Sequence, residues 1–242
     1  MKPPRTRSYS NRTLLCLPKE ELRRLEPQLT PVKLNVHETL IGAGDKAKHA
    51  FFVEEGICSL VVEMKDGITV EVGIIGKESV VGAPAVLGAD HSPNRAFIQI
   101  AGSGYRISLQ HLRAQAERSS ELKLCLQRSV QGLLAMTSQS AACNRIHDLP
   151  ERLARWLLTC RDRLDYDRMP LTHEFLAIML GTRRTTVTLA AGALQKAGLI
   201  AYSRGHVTIE NRAGLENTAC ECYATVRDEY RRLGLLDGKP GE

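Results

Sequence analysis

The chain has 242 residues, 43% of them apolar and 25% charged, and carries a net charge of +6. That length holds one large or two medium domains with ample core, and the mild basic excess favours a polyanionic partner without establishing one. No apolar run approaches the ~18 residues of a membrane helix. The start, MKPPRTRSYSNRTLLCLP, has a short apolar patch only at residues 14–17, too little for the roughly 7–15-residue core of an export signal. Seven scattered cysteines, an odd number, read as the reduced thiols of a cytoplasmic protein.

Residues 1–12 are polar, basic and proline-containing, and read as a disordered start. Pro18 opens a short helix in which Leu22 and Leu25 recur at helical spacing before Pro27. From about Thr30 the period becomes strand-like: Val32, Leu34 and Val36 alternate with polar residues. The runs 50–53, 57–64, 68–75, 95–100 and 104–107 are β-branched or aromatic. Lys65-Asp66-Gly67 between two of them is a hairpin signal, because the glycine takes positive φ at no steric cost. Short strands punctuated by glycines predict a small antiparallel β-roll or jelly roll over residues 13–118.

Residues 108–117 read as a short helix and 119–146 as one long helix with no proline. Leu122, Leu126, Val130, Leu133 and Met136 form its apolar stripe. Such a stripe packs either along its own domain or against a second copy as a coiled-coil seam. The second reading is preferred. His147-Asp148-Leu149-Pro150 breaks the pattern. Asp148 is placed to N-cap a helix over residues 149–164, with Pro150 in its first turn; that helix buries Leu153, Trp156, Leu157 and Cys160, and the polar residues 161–168 end it.

Residues 171–199, LTHEFLAIMLGTRRTTVTLAAGALQKAGL, read as two short helices joined at Gly181-Thr182. The second turns Arg183, Arg184, Thr185 and Thr188 outward and Val187, Ala190, Ala191 and Leu194 inward, the pattern of a helix-turn-helix that enters a DNA groove. Residues 199–209 alternate about Arg204-Gly205 and form a wing behind it. Residues 147–213 are therefore a winged helix-turn-helix domain, and 214–242 a helical tail with Leu215, Cys222, Val226 and Tyr230 on one side.

This order of an α+β chain (β-roll, long helix, winged helix) resembles the Crp/Fnr family of bacterial transcription regulators over about residues 22–209, most strongly over 171–209. The resemblance implies a recognition helix in the major groove, with the arginine near its start, Arg184, bidentate to guanine. Many members carry an acidic residue next and a basic one a turn later; Thr185 and Leu189 stand there, which implies a different operator. Thr185 and Thr188 are secondary base contacts. Thr172, His173, Arg183 and Thr186, with Ser203, Arg204 and His206 of the wing, are assigned to phosphates. The family also implies a homodimer on palindromic double-stranded DNA, with RNA polymerase as a further partner.

Many relatives bind a cyclic nucleotide in the β-roll. Glu78 and Arg95 match a ribose acceptor and a phosphate-binding cation, the candidate effector pocket. Ala96 replaces the hydroxyl residue that would hold the phosphate, and losing such a donor argues against this cofactor. An iron–sulfur sensor needs a tight N-terminal cysteine cluster, and only Cys16 lies there. Cys58, Cys125, Cys143 and Cys160 fall in or beside apolar stripes as small core residues. Cys220-Glu221-Cys222 is the one close pair, two ligands short of a structural zinc site. No P-loop, GxSxG elbow, HExxH or dinucleotide fingerprint occurs, so no metal ligand set or catalytic residue is assigned. The expected protein is a regulator with a sensing β-roll of unknown or lost ligand, the alternatives being a cyclic-nucleotide-responsive or a thiol-based redox-responsive regulator.

Overall fold

The computed structural model describes residues 8–89 and 91–236. Two short helices, α1 (Arg12–Leu15) and α2 (Lys19–Leu25), lead into the strands β1 (Thr30–Leu34), β2 (Thr39–Ile41), β3 (His49–Glu63), β4 (Thr69–Ile75), β5 (Val80–Val81) and β6 (Arg95–Ser108). These form one antiparallel sheet ordered β1-β6-β3-β4, with β2 paired to β6 and β5 to β3. The two longest strands join runs that the sequence separates. Gly56, at φ +92°, lets β3 kink against β6 through several register shifts without ending the ladder. Asp66-Gly67 closes the predicted hairpin: Gly67 has φ +85° and the Met64 amide donates to the Ile68 carbonyl at 2.8 Å.

Two helices follow, α3 (Leu109–Arg118) and α4 (Ser120–Ile146), the latter capped by the Ser119 hydroxyl, which accepts from the Leu122 amide at 3.1 Å. Next come α5 (Leu149–Leu164), β7 (Arg168–Pro170), α6 (His173–Met179), α7 (Arg184–Lys196), β8 (Ile200–Ser203) and β9 (His206–Ile209), then α8 (Arg212–Thr218) and α9 (Cys222–Arg232). Glu151 reaches back to the Asp148 amide at 3.2 Å, so α5 begins where the Asp-Leu-Pro-Glu signal places it.

The structure departs from the sequence reading in four places. The predicted disordered start includes residues 1–7, which lie outside the described residues, but it also includes Tyr9 and Asn11, which are buried. Asn11 donates to the carbonyls of Val53 and Ser79 at 3.0 and 2.9 Å, and the Tyr9 ring meets Tyr105 edge-on. A polar side chain fully satisfied in this way anchors the segment. The polar residues after α5 include an edge strand, β7, that completes the wing sheet β7-β9-β8. The tail, read as helical over residues 214–242, is interrupted at Ala219 in extended backbone between α8 and α9, and its residues 237–242 lie outside the described residues.

The fourth departure concerns α4. Leu122 and Leu126 are buried against α1, α3 and the start of the chain, and Met136 against β4 and α5. Val130 and Leu133 are partly buried on the same side. Helix α9 lies along α4 as well, with Leu235 and Tyr230 against Gly132. The stripe read as a dimer seam is used within the chain. One core also runs from Ile57, Val61, Ile74, Phe97 and Ile100 of the β-roll into Leu153, Trp156, Leu157 and the helix-turn-helix.

Candidate nucleic-acid interface

Helices α6 and α7 form the predicted pair. Thr172 caps α6, its hydroxyl accepting from the Phe175 amide at 3.1 Å. The turn passes through Gly181 at φ +60°, a left-handed conformation that glycine adopts without strain. Val187, Ala190, Ala191 and Leu194 are buried, while Arg183, Arg184, Thr185, Thr186, Thr188 and Leu189 are exposed. A small apolar face lets α7 sit close on α5 and α6, and the whole opposite face is free for a ligand.

Arg184 pairs with Glu174 at 3.0 Å, both side chains mostly exposed. A surface pair of this kind is worth at most about 1 kcal/mol, so it parks the guanidinium without sequestering it. Three of the assigned contacts, Thr172, His173 and Thr188, are engaged inside the motif. His173 stacks on Tyr202 with ring centroids 4.0 Å apart, and its Nδ1 lies 3.0 Å from the Thr188 hydroxyl, which also donates to the Arg184 carbonyl at 3.1 Å. Burial, helped by Arg184, lowers the His173 pKa and favours the neutral ring. Thr172 and His173 thus shape the motif, and the Thr188 hydroxyl is engaged within it. Ser203 and Arg204 are exposed at the wing tip, where Arg204 and Gly205 both have positive φ, and His206 is half-buried beside them.

In the β-roll, Glu78 and Arg95 are not brought together. Glu78 is buried and bonded to Arg163 of α5 at 2.8 Å and to the Gly76 amide at 3.0 Å. Arg95 pairs with Glu63 and lies over the Phe97 ring. The roll does hold a cavity of about 120 Å³, but it lies elsewhere, lined by Ile41, Leu60, Ile75, Gly82, Pro84 and Leu133 of α4 among others. None of the described lining residues is Asp, Glu, Lys or Arg, and the volume is below the roughly 300 Å³ at which pockets take drug-sized ligands. Gly82, Asn94 and Ala96 border it, but neither Glu78 nor Arg95 does. The candidate effector pair is corrected on this geometry.

Among the polar contacts that join the roll to the helix-turn-helix half, two involve a buried carboxylate. One is the buried Glu78–Arg163 pair. In the other, Trp156 Nε1 of α5 donates to Glu71 of β4 at 2.6 Å, and the Ser59 hydroxyl donates to the same carboxylate at 2.8 Å. Burial pushes the Glu71 pKa up to about 7 against these hydrogen bonds. Sequence reading missed both, since neither partner is near the other in the chain.

It also missed a thiol cluster. Cys143, read as a core residue, sits with its Sγ 3.5 Å from that of Cys220, and Cys222 Sγ lies 3.6 Å from His147 Nδ1. The hydrogen bond shared with Cys220 holds the Cys143 thiol down at about 5 despite burial, and pushes Cys220 up. The available signal was Cys143-x3-His147, two ligand types one helical turn apart.

A β-roll, a connecting helix and a winged helix-turn-helix in this order define a DNA-binding transcription regulator. Residues 31–119 match the family model of the cyclic nucleotide-binding domain, and 151–218 that of the Crp-like helix-turn-helix domain. A global nitrogen regulator of Synechocystis sp. is 22% identical over 209 residues, 80% of this chain and 91% of that protein. A second, from Nostoc sp., is 22% identical over 72% of this chain and 82% of its own length. Among solved structures, FixK2 from Bradyrhizobium japonicum superposes with a TM-score of 0.70 at 19% identity, covering 79% of this chain and 98% of that one. The c-di-GMP-responsive regulator CLP of Xanthomonas campestris gives 0.65 at 17% identity, covering 79% and 99%. The chain belongs to the Crp/Fnr family. No helix among the described residues is long and apolar enough to cross a membrane.

Proposed function

We propose that two copies of this chain bind a roughly palindromic operator, each inserting α7 into the major groove with Arg184 bidentate to a guanine. The observation that carries this is the α7 face itself: two arginines and three threonines stand exposed at its N-terminal end, with a small apolar face behind them. Arg183 and Thr186, with Ser203 and Arg204 of the wing, neutralise or hydrogen-bond phosphates. Half-site centres lie about 34–36 Å apart, one helical turn.

The second copy docks on the side of α4 that the chain leaves open. Leu124, Gln127, Gln131, Leu134, Ser138 and Ala141 are all exposed and recur at alternating spacings of 3 and 4. That spacing is a heptad seam, displaced around the helix from the stripe at Leu122–Met136. Recruitment of RNA polymerase by the bound dimer is the transcriptional output proposed for the family fold.

Operator selection from a random library, followed by Arg184→Ala, tests the reading head. The substitution removes the preference for guanine at one position, about 1–3 kcal/mol of discrimination. Arg183→Ala instead weakens all sequences alike and lowers the salt slope by about one. Unchanged base preference for Arg184→Ala refutes the assignment. For the seam, Leu134→Glu converts the dimer to a monomer by light scattering; a dimer that survives it refutes this face.

A further inference from the structure

At the C-terminal end of α4, four ligand atoms from separate parts of the chain converge. Cys143 and His147 are one helical turn apart, Cys220 and Cys222 flank the break between α8 and α9, and all four donor atoms lie within 4.8 Å of one another. We propose that these residues form a Cys3His site for a divalent zinc ion that staples the C-terminal helices to the hinge.

The distances match the chemistry. Tetrahedral zinc with Zn–S near 2.3 Å and Zn–N near 2.0–2.1 Å has S···S edges of about 3.8 Å and S···N edges of about 3.6 Å. The Cys143–Cys220 sulfurs are 3.5 Å apart, and Cys222 Sγ is 3.6 Å from His147 Nδ1. The surrounding shell fits too. His147 Nε2 lies 3.0 Å from a Glu221 carboxylate oxygen, which orients the imidazole and leaves Nδ1 facing the sulfurs. Carboxylate–histidine–metal triads use this arrangement. Gln139 Nε2 donates to Cys222 Sγ at 3.1 Å, as an amide does to a metal-bound thiolate.

The three cysteines are buried and the imidazole is 14% exposed, so the donor set faces inward. On binding, the protons that the thiols still hold pass to solvent as the S–Zn bonds form, and His147 binds through its neutral Nδ1; nothing is oxidised or reduced. Three thiolates and one Zn²⁺ leave a single negative charge, beside which the buried Arg155 acts electrostatically on Cys143. A Cys143–Cys220 disulfide would use only two of the four donors and leave Cys222 and the His147–Glu221 dyad without a role. The ion ties the last turn of α4, the first hinge residue and the α8–α9 break into one unit.

The test uses the full chain purified anaerobically, reduced and without chelator. One zinc per chain by elemental analysis is expected. The apo protein, titrated with Co²⁺, should develop the intense visible bands of tetrahedral thiolate-bound cobalt. Glu221→Gln changes a side chain that is 75% exposed, so folding is preserved, and metal affinity should fall 10–100-fold. Cys222→Ser should lower the thiolate-to-cobalt charge-transfer intensity, whereas Cys16→Ser, far from the cluster in sequence and exposed, should bind as the parent does. Absence of zinc together with no cobalt uptake overturns the proposal. So does a Cys143–Cys220 disulfide in the anaerobic protein, or a loss of metal in Cys16→Ser equal to that in Cys222→Ser.

Discussion

Replacing Glu78 by glutamine separates the two roles that its sequence context and its surroundings suggest. Its carboxylate is buried, 1% exposed, and faces the Arg163 guanidinium, 4% exposed, at 2.8 Å. Removing the charge of one partner leaves the other buried and uncompensated, which typically costs about 3–5 kcal/mol. Glutamine keeps one oxygen to accept from Arg163 Nε, and Arg163 retains its bond to the Thr159 carbonyl at 2.8 Å and its place over the Tyr230 ring. The expected loss is therefore near the lower end, about 3 kcal/mol. For a chain of this size that lowers Tm by roughly 6–12 °C, taking 2–4 °C per kcal/mol. Differential scanning calorimetry reads it directly. The double replacement Glu78→Leu with Arg163→Met should recover most of the loss, since an apolar pair of similar volume often substitutes for a buried ion pair. An unchanged Tm for Glu78→Gln, combined with a nucleotide affinity that the same substitution abolishes, would refute this account and restore Glu78 as a sugar ligand.

Other outcomes follow from the same contacts. The folded chain holds a proton on Glu71 up to about pH 7, whereas the unfolded chain releases it near 4.5, the ordinary value for a glutamate. The native state binds the extra proton, so stability falls as pH rises through that window, by up to roughly 3 kcal/mol at 1.36 kcal/mol per pH unit. Urea unfolding at pH 5 and pH 8 should show this drop, and Glu71→Gln should flatten it; an unchanged slope in the variant would rule out Glu71 as its source. Calorimetric titration with cyclic AMP should give no binding heat, because no lysine or arginine stands among the described residues of the cavity wall to meet the phosphate; micromolar binding would contradict this. Gly181→Ala forces a side chain into a left-handed turn, for which the nearest atom outside the turn, Val70 Cγ1, leaves room at 3.7 Å. The strain alone should destabilise by about 1–2 kcal/mol, measured by denaturant unfolding.

The reading head was legible because its signals are local. The Thr172 cap, the Gly181 turn and the apolar positions 187, 190, 191 and 194 lie within one 29-residue stretch, and their spacing alone fixes which face looks outward. Asp148, Pro150 and Glu151 marked the start of α5 for the same reason. What escaped was non-local. Glu78 finds Arg163 at a separation of 85 residues, and Cys143 finds Cys220 at 77, distances over which periodicity carries no information. The α4 stripe shows a further limit of pattern. An apolar face states that something covers it, not whether the cover is a second copy or the chain's own α1, α9 and β4.

The apolar core that crosses from Ile57, Val61 and Phe97 into Trp156, Leu157 and Met179 bears on how separable the halves are. Linear maps of such chains invite cutting at residues 147–150 and grafting the reading head onto another sensor. Here the cut would expose the indole of Trp156 and strand Arg163 in a half that lacks Glu78. A graft would need those faces redesigned as surface, and the halves should melt in a single transition rather than two. The reading head of this chain is packed into one core with the roll that it leans on.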